Sequence, residues 1–162
     1  MLSRSGQMPE ADRVGVDVRV EEEAMGKYVV DLSVVLHLLS RNAEPSPDHQ
    51  LLAPTLLRDK VLAALYESSR TGELPRDVAL DRLARFSKMK IRYLGDKVLR
   101  RRAWAVAEQL DWGSTDRAEY IALAQLQGDA LITLDADLAA AAADLVETTG
   151  FETIEGLGCH VG

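Results

Sequence analysis

The chain has 162 residues, 47% apolar and only 5% aromatic, and a formal net charge of -7. That length suits one domain with a core of Ala, Leu and Val. No apolar run is long enough to cross a bilayer, and an acidic chain is not one that holds nucleic acid by bulk attraction.

Residues 1–26 are polar and acidic, ending in Glu21-Glu22-Glu23 ahead of the patterned sequence. Val14, Val16, Val18 and Val20 alternate with polar residues, the period of a half-buried strand, so this extension reads either as an added edge strand or as a tail. Arg4, Glu10, Asp12 and Arg13 fall where a signal peptide needs an apolar stretch, and the lone Cys159 has no partner for an internal disulfide, so a cytoplasmic address is expected. The folded unit is expected over 27–157, with 158–162 as a short tail.

Tyr28-Val29-Val30 predicts a short buried strand, and 33–41, with Val34, Val35, Leu38 and Leu39 on one stripe, a helix. Pro45, Ser46 and Pro47 mark a loop. Helices are expected over 54–69 and 75–89, each opening on a proline whose missing N–H costs nothing there. A strand follows at 91–94, then a helix at 96–110. Gly113-Ser114-Thr115 precedes a helix at 116–127 that ends at Gly128. Residues 130–134 give the clearest buried strand, 137–143 an alanine-rich helix, and 151–154 a last strand. Alternating strands and helices predict an α/β sandwich around a mostly parallel sheet.

The informative residues are acids at the junctions. Ligands bind where parallel strands end, and Asp31 and Asp135 each directly follow a predicted strand. Asp116 opens a helix whose rise of about 18 Å roughly matches the length of the strand after it, so it returns to the same edge. Asp137 joins them two residues past Asp135. Crowded carboxylates repel unless something positive sits among them, and oxygen ligands without His or Cys suit Mg²⁺ or Mn²⁺. Each acid has a plainer reading as well: Asp at a helix start accepts a backbone N–H bond and complements the helix dipole.

Four stretches resemble the motifs of the PIN-domain nucleases, and within them the VapC-like toxins of bacterial toxin-antitoxin pairs. They are Val30-Asp31-Leu32-Ser33; residues 53–61, with Asp59 where the family carries Glu; residues 114–124, from Ser114-Thr115-Asp116; and residues 131–138, around Asp135 and Asp137. The likeness runs from about Lys27 to Ile154. It implies a PIN-like three-layer sandwich with a five-stranded, mostly parallel sheet. It also implies a Mg²⁺- or Mn²⁺-dependent endoribonuclease in which Asp31, Asp59, Asp116 and Asp135 hold metal, with Asp137 secondary and Ser33 and Thr115 supporting. Hydrolysis would leave a 3'-hydroxyl and a 5'-phosphate. An antitoxin protein and a homodimer are the implied partners.

Lys97, Arg100, Arg101 and Arg102 form a basic cluster suited to an RNA backbone or simply to a solvated helix face. Cys159-His160 lacks zinc-site spacing, and Trp104 and Trp112 read as core or interface residues. An aspartyl phosphatase would want an acid where Ser33 stands, and a phospho-receiver a lysine after a late strand that has no counterpart here. The stronger rival is the same fold with a weakened metal site, acting through a protein partner.

Overall fold

The computed structural model describes residues 25–155, so the alternating valines of the extension and Cys159-His160 lie outside the described residues. In chain order the elements are β1 (Lys27–Val30), α1 (Leu32–Ser40), β2 (Gln50–Pro54), α2 (Leu56–Arg70), α3 (Arg76–Lys88), β3 (Ile91–Leu94), α4 (Lys97–Gln109), α5 (Ala118–Leu126), β4 (Ala130–Ile132) and α6 (Ala136–Ala142), followed by a 3-10 turn at Phe151–Thr153. All four strands are parallel, in the order β3-β2-β1-β4.

Parallel strands covered by helical crossovers read as continuous apolar runs, and the buried cores of β2 (Leu51, Leu52, Ala53) and β4 (Ala130, Leu131, Ile132) do so. Strand β2 lies where the sequence predicts a loop running into a helix. Its leucines and alanine carry little strand preference, and tertiary pairing on both sides, to β1 and β3, supplies what propensity does not. The five-stranded expectation is corrected to four. Residues 151–154 turn instead of extending. A fifth edge survives only as a stub, in which Leu131 N donates to Glu147 O at 2.9 Å and Thr149 N to Leu131 O at 3.1 Å, making a single bridge beside β4.

Helix α5 lies across β1, β2 and β4 and is in turn covered by α4, while α1, α2 and α3 pack on one another. Six residues of α5, from Ala118 to Ala124, are buried, which is the pattern of a helix sandwiched between layers. Its end is tight for any side chain. A Cβ at Gly128 would stand 3.0 Å from Val29 Cγ2 and 3.2 Å from the backbone Cα of Ala124. Gly128→Ala is therefore expected to destabilise the fold by about 1–2 kcal/mol, read as a lower denaturation midpoint with an unchanged m-value. Among the described residues no helix is long and apolar enough to cross a membrane.

Candidate active site

The carboxyl ends of β1 and β4 are adjacent, and the residues just beyond them are bonded together. Asp31 is the one charged residue buried among those described, at 5% exposure. Its extended backbone places it as N-cap of α1, where Oδ1 accepts from Val34 N at 3.1 Å and from Ser33 Oγ at 2.6 Å. Oδ2 accepts from Thr133 Oγ1 at 2.5 Å. Both hydroxyls pass the link onward: Ser33 Oγ accepts from Leu134 N at 2.9 Å and Thr133 Oγ1 from Asp135 N at 3.0 Å. The ends of two neighbouring strands are thus tied through one carboxylate. Asp135 caps α6 in the same manner, its Oδ1 accepting from Asp137 N and Leu138 N at 2.9 and 3.2 Å.

Beyond these caps opens a cleft of about 660 Å³, within the ordinary range for ligand pockets. Asp31, Ser33, Asp116 and Asp135 line it, so the topology brings three of the predicted acids to one rim. Asp116 lies in the turn ahead of α5, where its N–H bonds Ser114 Oγ at 3.2 Å. The remaining predicted residues are placed elsewhere. Asp59 is exposed on α2 and outside the lining, and the residue of α2 that faces the cleft is its neighbour Lys60. Asp137 and Thr115 are exposed at its margin and do not line it. Lys97, Arg100, Arg101 and Arg102 are exposed on α4, with Arg102 Nη1 bonded to Gln125 Oε1 at 3.1 Å.

Two cations enter the cleft that the sequence did not single out, although both stand within the quoted motifs. Lys60 Nζ lies 2.8 Å from Asp116 Oδ2, and Arg117 Nη2 lies 3.5 Å from Asp135 Oδ2. The Arg117 guanidinium also sits over the Trp112 ring at 5.0 Å, while its Nε is buried without a hydrogen-bond partner among the described residues. The signal available in sequence was periodicity: on a helix, moving one residue along turns a side chain by about 100°, which separates Asp59 from Lys60 on the rim.

Electrostatics at the rim follow from this crowding. Burial, then Asp31, Glu119, Asp116 and Tyr93, push the Tyr120 phenol up, so it lines the cleft in protonated form. Burial, then Asp116, raise Glu119 above its ordinary 4.5, with Arg100 pulling the other way. A raised carboxyl pKa means that the folded state holds this proton more tightly than the unfolded state. Its contribution to stability is full below about 4.5 and is lost as pH rises through the folded value. Glu119→Gln is expected to flatten that slope and to raise Tm at neutral pH relative to the parent, with the two curves converging below the ordinary carboxylate range. Thermal melts across pH 4 to 7 check it, roughly the window in which a perturbed Glu titrates.

The donor chemistry at the rim is hard oxygen, suited to Mg²⁺ or Mn²⁺. The arrangement is not. Among the described residues no group of three His, Cys, Asp or Glu side chains is placed to hold a metal ion. Asp31 is buried and already accepts three hydrogen bonds, and the other two acids face cations. The ion pairs are themselves weak. The Lys60 and Asp116 side chains are 45% and 51% exposed, and pairs so exposed are worth about 0–1 kcal/mol. What opposes a divalent ion is the like charge of two side chains that occupy its ground, together with the missing fourth acid. The residues present do not fit the metal centre that the motifs imply.

The chain matches no protein-family model and no curated protein sequence. Solved structures are similar to it. PAE2754 from Pyrobaculum aerophilum aligns with a TM-score of 0.60 and 23% identity, over 80% of this chain and 93% of that one. VapBC-1 from nontypeable Haemophilus influenzae aligns with a TM-score of 0.55 and 11% identity, over 78% of this chain and 98% of that one. Likeness at these identities is a likeness of fold. The fold is thus α/β, PIN-like and three-layered, with a parallel sheet flanked by six helices.

Proposed function

We propose that this chain is an RNA-directed PIN-fold protein of the toxin-antitoxin kind, in which metal-dependent cleavage is weakened and a protein partner carries much of the function. The observation that carries the reading is Lys60. The position of α2 that faces the acids holds an ammonium paired to Asp116, where a metal centre needs a carboxylate. The likeness of fold to VapBC-1 supports an antitoxin-like partner. The exposed Leu62, Tyr66 and Leu80 around a second cleft between α2 and α3 offer surface for such a partner or for a second copy of the chain.

The full nuclease is kept as a second reading, because Asp31, Asp116 and Asp135 do share one cleft. The two are separated by incubating the purified chain with single-stranded RNA in Mn²⁺ or Mg²⁺, beside Asp31→Asn and Asp116→Asn variants. The first reading expects RNA binding with little or no metal-stimulated cleavage. Robust cleavage that both folded variants lose would establish the second and overturn the first. The direct check on the second motif is Asp59→Glu, which should leave metal response unchanged, since that side chain points outside the cleft lining.

A further inference from the structure

The basic cluster on α4 contains an aromatic side chain that the cleft does not use. The buried face of α4 is Leu99, Ala103, Val106 and Ala107. At about 100° per residue, Lys97, Arg100, Arg101 and Trp104 fall together on the opposite, solvent side, one turn above another. All four are exposed, and Trp104 is 65% exposed. Lys97, Arg100 and Arg101 make no ion pair or side-chain hydrogen bond among the described residues, which concentrates positive charge on one helix of a chain with a net charge of -7. Glu108, exposed one turn past Trp104, ends the stripe. At the other side, Arg100 is close enough to Glu119 to lower its proton affinity, and Glu119 in turn feels Asp116 on the cleft rim.

Among the described residues Trp104 is left in solvent, one turn beyond the guanidinium groups of Arg100 and Arg101. A flat ring stacks on any base, and basic neighbours one and two turns before it take the backbone phosphates, which is how single strands are held without reading sequence. The geometry points to the Lys97–Trp104 face of α4 as a single-strand RNA track, with Trp104 stacking one base and Lys97, Arg100 and Arg101 holding the backbone on its way to the cleft. This deepens the RNA-directed reading above and rests on it. The positive face calls for an anionic occupant, and a nucleic acid strand, unlike the acidic run Glu21-Glu22-Glu23 of the chain's own extension, supplies bases for the ring as well as a phosphate at every step.

The test is fluorescence anisotropy of a labelled single-stranded RNA titrated with the full chain. Trp104→Ala should weaken binding about tenfold and Trp104→Phe by less, because a smaller ring remains. Removing Arg100 and Arg101 together should weaken binding and lower the salt dependence, by about one unit of slope for each phosphate that is no longer neutralised. The sequence has two tryptophans, Trp104 and Trp112. RNA should therefore quench the parent's fluorescence, and Trp104→Phe should lose that quenching. Parental binding with Trp104→Ala unaffected would overturn the track and leave the RNA-directed reading standing. A parent that binds no RNA would overturn both. Trp104→Ala converting a dimer to monomers in sedimentation, with RNA affinity unchanged, would assign this face to a second copy of the chain.

Discussion

Asp31→Ala should lower the unfolding free energy by about 2–4 kcal/mol, the sum of a lost helix cap and of buried donors left without an acceptor. The carboxylate is buried and accepts three hydrogen bonds, from Val34 N, Ser33 Oγ and Thr133 Oγ1. Two of those donors go on to bond the backbone beyond β4, so the substitution loosens the junction of two strands as well as the start of α1. For a domain of this size the loss corresponds to a fall in Tm of roughly 5–15 °C. Asp31→Asn keeps an acceptor oxygen and should cost about half as much. Asp135→Ala, which removes a half-buried cap from a seven-residue helix, should cost only about 1 kcal/mol. Urea denaturation of the three variants reads these differences directly. An Asp31→Ala protein within about 1 kcal/mol of the parent would mean that the bonded chain across the strand ends contributes little.

The second large effect is a gain. Lys60→Glu removes the ammonium from the cleft and puts a carboxylate on the same face of α2, opposite Asp116. Losing a repelling charge and adding a ligand should raise Mn²⁺ affinity at least about tenfold, which requires only about 1.4 kcal/mol. Because metal bound to the folded state stabilises it by mass action, the variant should show a rise in Tm with Mn²⁺ that the parent lacks. Asp59→Glu serves as the control from the neighbouring position and should show no such rise. A Lys60→Glu protein that melts at the same temperature with and without Mn²⁺ would mean that the rim acids stand too far apart to share an ion, whatever occupies position 60.

Much of this was legible in the residues. The parallel arrangement follows from strands alternating with helices, and Asp31, Asp116 and Asp135 line one cleft because strand ends and a returning helix share an edge. Capping, the plainer reading of Asp31 and Asp135, proves true alongside their place at the rim, since the residue that follows a parallel strand is the one that starts the crossover helix. Strand β2 was hidden because Leu51, Leu52 and Ala53 are extended only by their neighbours in the sheet. The five-strand count was what the resemblance implied, and the strand expected at 151–154 rested on Phe151 and Ile154 alone, a stretch that reads alike whether it extends or turns. Motif matching tolerates a slip of one residue, and on α2 one residue separates an exposed aspartate from a lysine in the cleft. Arg117 was missed for a related reason: a cation directly after an acid reads as its surface neighbour, and only the fold turns it toward Asp135 and Trp112.

Calorimetric titration of the unaltered chain with Mn²⁺ tests the central claim most directly, because it asks whether Lys60 and Arg117 already hold the ground a divalent ion would take. The expected result is no saturable heat at millimolar Mn²⁺, with a binding isotherm appearing on Lys60→Glu. Stoichiometric, tight binding by the parent, abolished in Asp116→Asn, would contradict the account and restore the metal-dependent nuclease.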